Sequence, residues 1–267
     1  MRKRETIHIP GIKYCLSLLL FALLMIGGSC SESPQDQQLQ KAEDYIACGE
    51  IDSALVILDG PSMNGLSREK ERALHALLLT TARYKNFEDE TDDSLINIAV
   101  NYYEKHGPED RLMQSYIRKA KILDNKGEGN ESAVLLRKTE DLADELHDES
   151  AKGNIYRDLA NIYGGHFDKV MALNYAKKSY DSFKNANDTA FLSVMLLDIA
   201  QYSTALNRFE DALKISDGVI REEIESNDSA LLAFAWQVKG YAHFGMKDWR
   251  RAKDALSMSD RFNSNWL

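Results

Sequence analysis

Residues 187–212, NDTAFLSVMLLDIAQYSTALNRFEDA, and residues 227–252, NDSALLAFAWQVKGYAHFGMKDWRRA, are one pattern written twice at an offset of 40. Asn-Asp-Ser/Thr-Ala opens each copy. Leu196 and Trp236 coincide, Ala200 and Gly240 follow four positions later, and Ala212 and Ala252 twelve after those. Phe209 and Trp249 each stand three residues before the second alanine. Carried upstream, the same offset reaches Tyr156 and Tyr116, Ala160 and Ala120, and Ala172. A bulky and a small residue spaced i, i+4 share one helix face. The small one admits a second helix at close range and the bulky one fills the space beside it. A helix–turn–helix unit repeated along the chain is therefore expected.

Away from the clearest copies the pattern loosens. Gly127-Glu128-Gly129-Asn130 inserts one residue and delays the alanine to Ala133, and Gly164-Gly165 with Phe167 makes the fourth turn irregular. Ala42, Tyr45, Gly49, Ile51 and Ala54 match a shorter unit that ends near Gly60-Pro61. Residues 67–84 and 93–106 read as a longer hairpin around an acidic turn. Six hairpins, twelve helices in all, are expected.

Composition agrees. Of four prolines in 267 residues, only Pro61 and Pro108 lie beyond position 34, a scarcity of breakers that suits long helices. The formal charge of −9 lacks the basic footprint that nucleic acid requires.

The N-terminus reads as a targeting segment. Arg2, Lys3, Arg4 and Lys13 precede the apolar run from Tyr14 to Ile26. As a helix that run rises only about 20 Å, short of the roughly 30 Å bilayer core. Gly27-Gly28-Ser29-Cys30 resembles a bacterial lipoprotein processing site, in which the signal is cut before the cysteine and the cysteine is acylated, palmitate among its chains. Gly27 stands where that family usually has leucine. The resemblance implies a signal peptide at 1–29, lipid on Cys30, a flexible tether at 30–38 and a repeat domain at 39–267. It implies a cell-envelope location, with Ser31 favouring the outer over the inner membrane. Loss of residues 1–29 leaves a net charge of −12, so lipid rather than charge would hold the chain to a membrane. Cys15 leaves with the signal and Cys48 is then alone, which excludes an internal disulfide.

The aromatic, small residue and alanine series resembles the tetratricopeptide repeat (TPR). With the lipobox, and with the block Asp93 to Gly107 (DSLINIAVNYYEKHG), the chain resembles TPR lipoproteins of Gram-negative bacteria. The resemblance implies an all-α, TPR-like α-solenoid, a right-handed superhelix. The period of 40 against the family's usual 34 implies helices longer by about a turn each. In that family the first helices line a concave groove that holds a peptide or a partner helix. Here the corresponding residues are Ile117, Lys121, Asn154, Arg157, Asn161, Leu197, Gln201, Phe234, Gln237 and Tyr241. Only Arg157 and Asn161 match part of the set with which chaperone-binding members clamp a terminal carboxylate. Leu256, Phe262, Trp266 and Leu267 are candidates for an exposed apolar edge on an uncapped last hairpin, a surface for dimerisation.

Catalytic chemistry finds little support. The six histidines include no i, i+4 pair, and neither the phosphate loop nor the nucleophile elbow occurs. The acidic run Glu88 to Asp93 lacks the glycine and distal glutamate of a calcium loop and reads as the start of a helix. Asp52-Ser53-Ala54, Asp93-Ser94-Leu95, Asp188-Thr189-Ala190 and Asp228-Ser229-Ala230 resemble an O-glycosylation signal, but their places at helix starts suit capping. Trp249 is expected to pack inward beneath a solvated Arg250, Arg251 and Lys253. The reading is a non-enzymatic scaffold, without metal or cofactor, that binds a protein or peptide partner and is tethered to a membrane. The alternative is the sensor portion of a membrane-bound TPR regulator lacking its effector part.

Overall fold

The computed structural model describes residues 33–165, 168–226 and 228–263. The signal segment, Cys30, Phe167, Trp266 and Leu267 lie outside these. Twelve α-helices follow in order: α1 (Pro34–Cys48), α2 (Ile51–Leu58), α3 (Glu69–Lys85), α4 (Ser94–His106), α5 (Glu109–Asn125), α6 (Gly129–Glu145), α7 (Glu149–Gly165), α8 (Lys169–Asn185), α9 (Leu192–Ala205), α10 (Phe209–Ser226), α11 (Ser229–Gly245) and α12 (Trp249–Asn263). Two short 3₁₀ turns, Pro61–Met63 and Thr189–Phe191, precede α3 and α9. No strand occurs among the described residues. The helices pair as six antiparallel hairpins, each packed on its neighbours, as the sequence pattern requires.

The 40-residue period is two periods of 20. Left-handed backbone occurs at Phe87, Gly107, Gly127, His147, Asn187, Asn207 and Lys247, all multiples of 20 apart. Six of the twelve helices run 17 residues, and five of the connections between them are three residues long. One aspartate closes a helix and opens the next. The amides of Asp148, Asp168 and Asp248 reach back to the carbonyls of Ala143, Tyr163 and His243 at 2.9–3.0 Å. Their carboxylates then accept from the amides of Ala151, Met171 and Arg251 in the following helix. These are a helix stop and an N-cap fused at one residue. Of the four Asp-Ser/Thr strings, only Asp228 caps with its own side chain, on Leu231. At the acidic run, Asp92 takes the Ser94 amide while Glu90 pairs with Arg83 at 3.1 Å, so the run starts a helix and braces the one before it.

Packing follows the predicted positions. Ala120, Ala160, Ala200, Ala172, Ala212 and Ala252 are all buried. Gly240 meets Leu256 so closely that a Cβ would stand 2.7 Å from its Cδ2. Tyr116 and Tyr156 are buried, with hydroxyls donating to Glu104 at 2.6 Å and Glu140 at 2.5 Å.

Two expectations at the chain ends are corrected. Residues 33–38 are not tether: α1 begins at Pro34 with Ser33 as its N-cap, in a capping box with Asp36. The Ser33 hydroxyl donates to Glu71 at 2.8 Å, and Arg68 bridges Asp36 (2.6 Å) and Glu71 (2.5 Å), which clamps the start of α1 onto α3. At the other end the described part of the expected apolar edge, Leu256 and Phe262, is only partly exposed. Leu256 is turned inward onto Gly240, and Phe262 is half-buried. Where α10 presents Leu213 and Ile220 to the next hairpin, α12 carries Lys253 and Asp260, both exposed. At these two positions the outer face of α12 is thus more polar than that of α10. Trp249 does not pack inward; it is 58% exposed and meets Phe244 edge-on at 5.1 Å.

Candidate functional site

First helices lie beside first helices. α1 packs on α3, α3 on α5, α5 on α7 and α9 on α11. Tyr202 of α9 bridges to α7, its hydroxyl donating to the Ala160 carbonyl at 3.1 Å. Second helices meet mainly the first helices on either side, so the first-helix layer is the tighter, inner one.

Along that layer the repeat sorts the expected groove residues. Ile117 and Leu197 are corrected: both are buried core side chains, because their helices turn them into the seam with the preceding or following hairpin. Phe234 is half-buried between the clusters built on Ala212 and Val219. Asn161 and Gln201 are exposed, Tyr241 is 49% exposed, and Lys121, Asn154, Arg157 and Gln237 are partly so. Local bonds position several of them. Asn154 donates to the Ser150 carbonyl, Lys121 pairs with Asp124 at 3.5 Å, and Gln237 donates to the Tyr241 hydroxyl at 3.3 Å. The Arg157 guanidinium lies 5.0 Å from the centre of the Phe191 ring.

Beneath this row lies a second one that sequence reasoning missed. Arg118, Asp158 and Asp198 occupy the same repeat position at successive offsets of 40. The Arg118 guanidinium covers the Tyr84 ring at 4.0 Å, and burial lowers its pKa. Burial also raises the Asp158 carboxyl, against the pull of Arg157, whose Nε is 4.0 Å away, and of Arg118. Asp198 is pushed up to about 6 by burial, opposed by Arg157. The Tyr202 hydroxyl goes up to about 12, from burial and then from Asp198. The offset of 40 places all three charges in register, yet charged residues on a helix read as solvated until a neighbouring helix is known to cover them.

This face is a strip of amide and guanidinium donors over a half-buried mixed-charge floor. Its groups are suited to hydrogen-bonding an extended backbone. Among the described residues, no group of three or more His, Cys, Asp or Glu side chains could hold a metal ion. No described helix is long and apolar enough to cross a membrane.

The architecture is an all-α, TPR-like solenoid of six hairpins. Solved structures with this fold include apo RapI, at TM-score 0.68 and 16% identity over 87% of this chain and 66% of that one. A Rap protein complexed with competence and sporulation factor aligns at TM-score 0.66 and 13% identity, over 86% of this chain and 66% of that one. BtubC (BKLC) from P. vanneervenii aligns at TM-score 0.61 and 15% identity over 88% and 93%. This chain thus spans slightly under two thirds of the length of the Rap proteins. No family model matches the sequence, and no curated protein matches it closely.

Proposed function

We propose that the protein is a non-catalytic scaffold whose first-helix face takes an extended segment of a partner protein. The observation that carries this is the strip formed by Asn154, Arg157, Asn161, Gln201, Gln237 and Tyr241, with polar groups unburied along three successive first helices. A structural neighbour, a Rap protein crystallised in complex with competence and sporulation factor, supports a binding role for the fold. The partner's backbone would meet the amides, and Tyr241 would offer it an aromatic surface.

The same proposal includes lipidation of Cys30 and a place in the envelope of a Gram-negative cell, supported by the signal-like N-terminus and the lipobox. The clamp at Ser33 then has a consequence. Two residues separate Cys30 from Ser33, three chain steps with a reach of at most about 10 Å. A lipid at Cys30 would hold the folded body against the bilayer rather than on a long leash.

Crosslinking in the native membrane tests the scaffold, comparing wild type with a combined Lys121→Ala, Arg157→Ala, Tyr241→Ala variant. The variant is expected to lose its main crosslinked partner; retention of every partner overturns the groove. Detergent partitioning tests the anchor separately. Cys30→Ala should move the protein to the aqueous phase, and unchanged partitioning overturns the lipid.

A further inference from the structure

The charges under the first-helix strip are unevenly paired, and one of them has no counter-charge beside it. Arg118 rests on the Tyr84 ring at 4.0 Å and attracts Asp158. Asp158 is also attracted by Arg157, whose Nε stands 4.0 Å from it and whose guanidinium lies over the Phe191 ring. One period later the acid returns without the base, since Leu197 precedes Asp198 where Arg157 precedes Asp158. A further period on, α11 presents Val238, which is buried. The two basic residues of α11 are committed elsewhere: Lys239 is bonded to Asp217 at 2.6 Å, and His243 is buried.

Asp198 is the only charged residue of α9. Among the described residues its carboxylate makes no hydrogen bond and no ion pair. Burial pushes its pKa up to about 6 against the pull of Arg157, so above pH 7 it is mostly ionised. A half-buried carboxylate without a partner is costly to the fold, and a charged donor that reaches it gains a charge-assisted hydrogen bond. A second acceptor stands on the same helix face. Gln201, three residues on, is exposed, and its amide makes no hydrogen bond among the described residues.

We propose that Asp198 and the Gln201 amide oxygen seat an alkylammonium group of the segment bound on the first-helix face, either a lysine side chain or a free N-terminus. This rests on the groove reading above and adds to it the charge of the bound residue. An ammonium carries three donors and no acceptor, which suits two separate oxygens. An acidic residue in its place would meet Asp198 as a like charge.

Affinity selection on the immobilised full chain tests it, with mixed pools of short synthetic peptides whose random positions are all uncharged. One pool is N-acetylated with a central lysine, one has central norleucine and a free N-terminus, and one is acetylated with norleucine. Mass spectrometry of the retained peptides is expected to show at least fivefold enrichment of a pool bearing an ammonium over the acetylated norleucine pool. Which of the two is enriched identifies side chain or terminus as the source. Asp198→Asn should abolish the preference with helical circular dichroism unchanged. Asp141→Asn removes the same charge from the exposed face of α6 and should leave the preference intact. A preference that survives Asp198→Asn, or falls equally in Asp141→Asn, overturns the proposal, since attraction to an acidic chain at large then accounts for it. Equal retention of all three pools overturns it too and leaves the groove reading standing. Retention of no pool overturns both.

Discussion

Gly153 of α7 lies flat against the ring of Phe183 in α8, where a Cβ would stand 2.7 Å from both Cδ1 and Cε1. Phe183 is fully buried and stacks on Phe191 at 4.8 Å, so its ring has no room to retreat. Gly153→Ala should therefore destabilise the fold by about 1–3 kcal/mol, as overpacking does. Gly218 in α10 is the internal control, since nothing lies within 4 Å of its missing Cβ. There the helix propensity of alanine acts alone, and Gly218→Ala should stabilise by roughly 0.5–1 kcal/mol. Urea denaturation of the two variants should give shifts of opposite sign; a like sign would mean that the α7–α8 contact is looser than described.

Phe87 ends α3 in left-handed backbone with φ 60° and is 95% exposed. Its repeat equivalent one period later is Gly127, which adopts φ 87° without a Cβ. The phenylalanine thus bears a backbone penalty and buries almost nothing in return. Phe87→Gly is expected to raise the stability of the N-terminal hairpins by about 0.5–1 kcal/mol, read as a higher urea midpoint at unchanged slope.

Much of this architecture is written in the positions that recur at 40. Tyr116 to Trp236 and Ala120 to Gly240 announce the hairpins because a tight helix–helix approach leaves a size signature at fixed spacing. The 20-residue beat was hidden. The left-handed position accepts Phe87, Gly127, His147 and Lys247 alike, so it has a conformation but no residue type. The floor of the candidate site was hidden for a related reason, as Arg118 and Asp198 look like surface residues of an isolated helix. Ile117 and Leu197 fell the other way. Periodicity placed them one helical step from the packing alanines, but a first helix in a solenoid is covered on both flanks. The polar outer positions of α12, Lys253 and Asp260, are legible only when α12 is laid over α10 rather than read alone.

Arg111 joins the first and third hairpins across 68 residues of sequence. It holds Glu43 with two bonds, Nη1–Oε1 at 2.6 Å and Nη2–Oε2 at 2.9 Å. Both side chains are mostly covered, and the fork geometry makes the pair stronger than an ordinary surface bridge. A double-mutant cycle on Glu43→Gln and Arg111→Lys should return a coupling of about 0.5–1.5 kcal/mol, against near zero for an exposed pair such as Arg251–Asp248. Hydrogen exchange in α1 should quicken in either single variant. Exchange in α11 should not, because stability in a solenoid is passed between neighbours.

Asp198 ties the candidate site to pH. Its carboxyl titrates near 6 in the fold against 3.8 unperturbed, because burial disfavours the charge and Arg157 only partly offsets that. A raised carboxylate means that the native state holds the proton more tightly than the unfolded chain. The stability it contributes is complete below about pH 4 and is lost as pH rises through about 6. Two pKa units bound the effect at about 3 kcal/mol, and access of water to the half-covered group lowers it. Asp198→Asn removes the titration while keeping the shape. The difference in unfolding free energy between variant and wild type should therefore move in favour of the variant between pH 4.5 and pH 7. Arg157→Ala should widen the same window upward, since it removes the charge that pulls Asp198 down. A difference that stays flat across that range would place Asp198 in water. The first-helix strip would then rest on a solvated floor, and Arg157 would have no half-covered charge to answer.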